Sequence, residues 1–181
     1  ERWVIREVCG QMGRFLAANP ETIVNLNLSG LTLGEERIEE FILETVCSAG
    51  ITPARLCFEI TETAAIANMD VALDVMHRIC AHGFTFSLDD FGIGLSSFAY
   101  LKTLPVAQIK IGDNYVRKML TDPLSLAVVR AAIGIGQVLD IAVCAECVET
   151  RETLDALREM GVGHAQGHVI HHPQPLAEYA D

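Results

Sequence analysis

Basic side chains are scarce in this chain. Its 13 Lys and Arg stand against 24 Asp and Glu, a formal charge of −11 at pH 7. Such a balance argues against a non-specific nucleic-acid surface and against an anionic-membrane surface. A phosphate-bearing ligand would need bound metal or an individually placed Lys or Arg. Long apolar runs are also lacking. The most apolar stretch, Leu126 to Ala145, is broken by Arg130, Gln137 and Asp140, so no membrane segment is expected. The chain opens on charged residues in a helical pattern, so no signal peptide is expected either, and a cytoplasmic domain is the reading. Linkers and low-complexity segments are missing. Half of the 181 residues are hydrophobic, enough for one domain with a sizeable core. Such a chain needs no disulfides, and Cys9, Cys47, Cys57, Cys80, Cys144 and Cys147 read as reduced thiols, mostly within apolar segments.

What is present is a regular alternation of helical and strand patterns. Helices are expected over Glu1 to Ala18, Glu35 to Ala49, Asp70 to Ala81, Pro123 to Leu139 and Arg151 to Met160, with a short one over Ser96 to Leu101. Strands are expected over Thr22 to Leu28, Arg55 to Ile60, Phe84 to Leu88, Val106 to Ile111 and Ile141 to Ala145, with a short one near His164 to Gly167. A last turn is expected over Leu176 to Tyr179. Alternation of this kind gives a parallel sheet with helices outside, either a barrel or an open doubly wound sheet.

Polar residues collect at the C-terminal end of every expected strand: Asn27, Glu59 with Glu62, Asp89 with Asp90, Lys110, Glu146 and Gln166. Strand ends converge on one mouth in a barrel but spread along a line in an open sheet. A site fed by all six strands therefore favours a (β/α)8-type, TIM-like barrel. Such a barrel typically has eight strands over about 250 residues. Six strands beginning on a helix suggest that an N-terminal portion is missing.

Asp89 and Asp90 are adjacent like charges, a costly pair that a divalent cation offsets. Taken alone, Ser87 to Ser97 reads first as a solvated Asp- and Gly-rich turn. Among the other strand ends it reads as a metal site. Asn27, Glu59, Asp89, Asp90 and Glu146 are hard oxygen donors, suited to Mg2+ or Mn2+. Asp89 and Asp90 allow two metals sharing a bridge, an arrangement that activates water and clamps a phosphoryl oxygen. Lys110, alone in an apolar strand, is either a structural ion pair or the group that holds the attacking water or a phosphate oxygen. Glu59 to Glu62 could also form a helix capping box. In the site reading Glu59 is a ligand and Glu62 anchors a loop.

These motifs resemble the EAL-domain family of bacterial cyclic-di-GMP phosphodiesterases. Asn27-Leu28-Ser29 resembles its N-x-S strand end, Glu59-Ile60-Thr61-Glu62 its E-x-T-E, and Asp89-Asp90-Phe91-Gly92-Ile93-Gly94 its D-D-F-G-x-G. Lys110-Ile111 resembles its K-I-D, Ala145 to Thr150 its A-E-G-V-E-T, and Gln166-Gly167 its Q-G-Y. The resemblance implies a (β/α)8 barrel with one antiparallel strand and Mg2+- or Mn2+-dependent hydrolysis of cyclic-di-GMP to linear pGpG. It implies Asn27, Glu59, Asp89, Asp90 and Glu146 as metal ligands, with Lys110, Glu146 and Asp90 in catalytic roles. Gln166 then lies near the substrate. Glu62, Gly92 and Gly94 belong to a loop linking the metals to a homodimer interface. Sensory or diguanylate-cyclase-like domains often precede such a domain.

The sequence departs from the family pattern in places. The Glu-Ala-Leu triplet belongs upstream of residue 1, and its Glu is a metal ligand. Gly112 replaces the Asp of K-I-D, and Asp113, one residue on in a strand, would point to the other face. Leu95, Cys147 and His168 stand where the family often has Tyr, Gly and Tyr. These departures keep open a degenerate, non-hydrolysing domain that senses cyclic-di-GMP or docks a partner. Other signals are discounted. Gly92-x-Gly94-x-x-Ser97 is only a near miss to a dinucleotide fingerprint, with Lys110 where an acid belongs. Cys144-x2-Cys147 with His164-x3-His168 has a 16-residue spacer holding a whole helix, too long for a zinc finger. His171-His172-Pro173 reads as a solvated turn.

Overall fold

The computed structural model describes residues 1–92, 98–175 and 178. It divides into two compact units: residues 1–60, 64–86 and the C-terminal tail, and residues 61–63 with 87–173.

In the first unit, α1 (Arg2–Ala18) buries Ile5, Cys9, Met12 and Leu16 at helical spacing; of the apolar residues that mark this helix in the sequence, Met12 and Leu16 are buried, whereas Trp3 and Val4 are exposed. Asn19 closes it, its side-chain amide donating to the Phe15 carbonyl at 2.9 Å. β1 (Val24–Asn27) pairs in parallel with β2 (Leu56–Thr61), from Val24 opposite Leu56 to Asn27 opposite Glu59. Between them lie α2 (Gly30–Leu33), capped by the Ser29 hydroxyl, and α3 (Ile38–Ser48). After β2 come α4 (Glu62–Ala67), which begins in the second unit, and α5 (Met69–Ala81). The Phe58 ring lies 5.6 and 5.8 Å from those of Phe84 and Phe86, an aromatic centre for this core.

β3 (Thr85–Phe91) carries the chain into the second unit. There β3, β4 (Gln108–Ile111), β5 (Ala142–Ala145) and β6 (His164–Ala165) are neighbours in chain order, all parallel. Leu88, Ile109, Ile111, Val129, Ala132 and Ala145 are wholly buried. α6 (Asp113–Val116) follows β4 directly. α7 (Pro123–Leu139) starts on the carboxylate of Asp122, which accepts from the amides of Leu124 and Ser125. It packs so tightly that a Cβ on Gly136 would lie 2.4 Å from the Val143 side chain. α8 (Arg151–Glu159) is capped by Thr150.

Several expectations are corrected. β3 runs on to Phe91, so Asp89 and Asp90 lie inside a strand and not in a turn after it. Three short helices were not foreseen: α2, α4 and α6, of 4, 6 and 4 residues, too short to show a period. β1 begins at Val24 and β4 at Gln108, two residues later than expected. The short helix expected over Ser96 to Leu101 appears as a 3-10 helix over Phe98–Lys102, with Ser96 and Ser97 outside the described residues. Of Leu176 to Tyr179 only Glu178 is described. Every strand pairing given above is parallel; the antiparallel strand that the resemblance implies is not among them.

Candidate active site

Regular strand geometry turns successive side chains to opposite faces. β3 breaks that rule at the two aspartates. Leu88 pairs with Ile109 but Phe91 pairs with Ile111, so three steps along β3 match two along β4. The extra residue is a bulge. Asp90 takes it up in the left-handed region, at φ +57°, a conformation that Asp tolerates better than most non-Gly residues. As a result both neighbouring carboxylates face one side. Oxygen atoms of Asp89, Asp90 and Glu146 lie within 4.8 Å of one another. Glu146 stands just past β5, its amide meeting the Ile111 carbonyl, and Cys147 after it turns the chain at φ +51°.

Lys110, on β4, is buried. Its Nζ lies 2.6 Å from Glu146 Oε1 and 3.4 Å from Asp89 Oδ1. A buried ammonium requires such partners, and here both sit at strand ends flanking its own. The Asp90 carboxyl is pushed above the usual carboxylate range, by burial first, then by the charges of Asp89 and Asp113; Lys110 pulls the other way. The cluster thus holds more negative charge than its one ammonium offsets, and all its donors are hard oxygens. That chemistry fits a divalent cation. Among the described residues it is also the only group of three or more His, Cys, Asp or Glu side chains close enough to hold one. The six cysteines form no disulfides.

Glu62 opens α4. It is 2% exposed. Its Oε2 accepts from the Gly92 amide at 3.0 Å and its Oε1 from the Tyr100 hydroxyl at 2.5 Å. Burial and that bond drive the Tyr100 phenol far above its ordinary range, so it stays a donor. The Gly92 carbonyl accepts from the Tyr115 hydroxyl at 2.7 Å. Gly92 has φ +95°, and a Cβ there would come within 3.2 Å of the Tyr115 ring. The turn after the bulge is therefore fastened at both polar groups of one residue. Glu62 and Gly92 are thus joined by a hydrogen bond, and Gly94 lies outside the described residues.

In the first unit Glu59 is buried, and its Oε1 accepts from Asn25 Nδ2 at 2.7 Å. Asn27 is its register partner. For Gln166 the structure gives backbone bonds, to the Ala145 carbonyl and from the Val148 amide. Gly112 caps the start of α6. Asp113 is thus the first residue of a helix, and strand alternation does not send it to the other face; its charge reaches Asp90. Asn25, Tyr100 and Tyr115 were missed from the sequence. Asn25 had a readable signal, two residues before Asn27 on the same strand face.

A run of parallel strands that ends in carboxylates around one lysine defines an α/β domain with an acidic cluster at its strand ends. Comparison with known proteins gives the family: the EAL domain model matches residues 1–173, and the chain belongs to the EAL-domain family. Its α/β fold is the TIM-like barrel class of that family. It is similar to the cyclic di-GMP phosphodiesterase PdeB of Shewanella oneidensis, 38% identical over 158 residues that make up 87% of this chain and 18% of that protein. It is similar also to the bifunctional diguanylate cyclase/cyclic di-GMP phosphodiesterase MucR of Pseudomonas aeruginosa, 30% identical, covering 97% of this chain and 26% of that one. Among solved structures, the phosphodiesterase PaMucR in its c-di-GMP complex matches with TM-score 0.92 at 30% identity, over 96% of this chain and 71% of that one. The EAL domain of Mycobacterium smegmatis DcpA matches with TM-score 0.92 at 28% identity, over 98% and 80%. The chain spans about a fifth to a quarter of the length of these curated relatives. No helix among the described residues is long and apolar enough to cross a membrane.

Proposed function

We propose that this chain is the phosphodiesterase domain of a bacterial signalling protein and hydrolyses cyclic-di-GMP to linear pGpG. The observation that carries the reading is Lys110, buried between Asp89 and Glu146 at the ends of parallel strands, with Asp90 alongside. Asp89, Asp90 and Glu146 hold the divalent ions, Mg2+ or Mn2+, and the motif correspondence adds Asn27 and Glu59 to the ligand set. The chemistry that this pair supplies when bound is a water acidic enough to attack at neutral pH and a neutralised phosphodiester. Lys110 Nζ orients the attacking water or a phosphate oxygen, and its charge offsets that of the pentavalent phosphoryl group. Water adds to one phosphorus, one ester P–O bond breaks, and the ring opens to a linear dinucleotide. Gln166 lies beside the substrate. By family resemblance the domain works as a cytoplasmic homodimer behind sensory or diguanylate-cyclase-like domains.

The test is direct. The full-length protein forms pGpG from cyclic-di-GMP with Mn2+ or Mg2+, and Asp89→Asn abolishes turnover. A second reading rests on Gly112, which removes one carboxylate of the family pattern: a domain that binds cyclic-di-GMP without cleaving it. Tight binding with no pGpG under either metal would select that reading.

A further inference from the structure

The bulge that aligns Asp89 with Asp90 has to be held, because its relaxation to a regular strand would turn the two carboxylates to opposite faces. On the N-terminal side the ladder holds it, through Ser87 with Gln108 and Leu88 with Ile109. On the C-terminal side the ladder ends at Phe91 opposite Ile111. The next residue, Gly92, is held by two side chains: its amide by Glu62, its carbonyl by Tyr115. The two anchors differ in origin. Glu62 comes from the segment after β2, whereas Tyr115 stands on α6, five residues past Lys110 on the same run of chain. Its hydroxyl therefore ties the turn behind the aspartates to the end of the strand that carries the lysine. Its ring serves as the floor on which Gly92, lacking a Cβ, can lie.

We propose that Tyr115 is a positioning residue for the Asp89–Asp90 pair, acting through the Gly92 carbonyl. A phenylalanine would supply the same floor and leave the carbonyl without that donor. The ring accounts for packing; the hydroxyl sets how firmly the bulge is held, and through it how well two adjacent carboxylates serve one cation. The inference rests on the phosphodiesterase reading only in taking that pair as metal-binding.

The experiment compares the full-length protein with Tyr115→Phe in two arms. In EDTA, hydrogen exchange across residues 90–92 is expected to quicken about three- to tenfold, the scale of one lost hydrogen bond, while Ile109 to Ile111 and Val143 to Ala145 keep wild-type protection. In calorimetric titration with Mn2+ alone, the dissociation constant is expected to rise by a similar factor. In turnover the half-saturating Mn2+ concentration then rises while KM for cyclic-di-GMP stays put. Unchanged exchange at 90–92 overturns the proposal, and so does faster exchange with Mn2+ affinity held within about twofold. Wild-type protein that forms no pGpG overturns the phosphodiesterase reading alone, since neither of the first two arms involves substrate.

Discussion

Single residues carry most of the unusual backbone of this domain. Asp90 and Cys147 both sit in the left-handed region, next to or within the acid cluster. For Cys147 the conformation has no polar side chain to ease it, and a non-Gly residue there costs about 1–2 kcal/mol. Cys147→Gly is expected to stabilise the domain by about 0.5–1 kcal/mol in urea unfolding, after the entropic cost of glycine in the unfolded chain. Asp90 bears a different cost. Its carboxyl is raised above its ordinary range, by burial first, so folding disfavours its ionised form. Without metal, that residue lowers stability progressively as pH climbs from the unfolded carboxyl value, about 3.9, through the folded one. Asp90→Asn keeps a residue that tolerates this backbone. In EDTA at neutral pH it should raise Tm, and the gain should vanish below about pH 4. A lower Tm at neutral pH would contradict the charge argument. At this scale the sequence was informative about identity and poor about conformation. The carboxylates and Lys110 were legible because charge at the end of an apolar run is conspicuous. The hydroxyls of Tyr100 and Tyr115 were not, since a tyrosine within an amphipathic turn looks like any other partly buried ring.

The long elements were readable because their burial has a period. α1, α5, α7 and α8 fall within a residue or two of the expected limits, and α5 and α8 end on the expected glycines, Gly83 and Gly161, at positive φ. α2, α4 and α6 were invisible, because one turn of helix shows no repeat. The bulge in β3 was invisible for a related reason: a strand of seven residues with one extra reads as a shorter strand followed by a turn. Two predictions belong to α7. Asp122→Ala removes the acceptor for two backbone amides and should cost about 0.5–2 kcal/mol in chemical unfolding. Gly136→Ala places a methyl against Val143 and the Ile141 carbonyl, where a helix presses on the sheet. Overpacking of that kind should cost about 1–3 kcal/mol; a neutral effect would mean that the helix slides away from β5.

For the molecule as a whole, net charge opposes function. On the proposed function, a chain of −11 would have to admit a dinucleotide with two ionised phosphodiesters. Encounter is repulsive at long range and becomes favourable only at the lysine and whatever cations the carboxylates hold. Raising NaCl from about 20 to about 200 mM should therefore increase kcat/KM for cyclic-di-GMP, because screening shortens the repulsion more than the contact interactions. A decrease would point to a basic entry path outside this chain. The fold class was legible at this scale from alternation and from strand-end polarity together; neither alone separates a barrel from an open sheet. The motifs fixed the family because their order and spacing hold over most of the chain, and the model of that family spans residues 1–173.

The bulge also says something about how a second carboxylate can enter a strand. Remove Asp90 and the count on β3 matches that on β4: Leu88 with Ile109, Asp89 with Lys110, Phe91 with Ile111. The alternation on either side is already in phase for that shorter strand, with Leu88 and Phe91 both buried. In a regular strand two adjacent acids would diverge to opposite faces. The bulge therefore lets β3 present two adjacent acids on one face while Leu88 and Phe91 keep their register with Ile109 and Ile111.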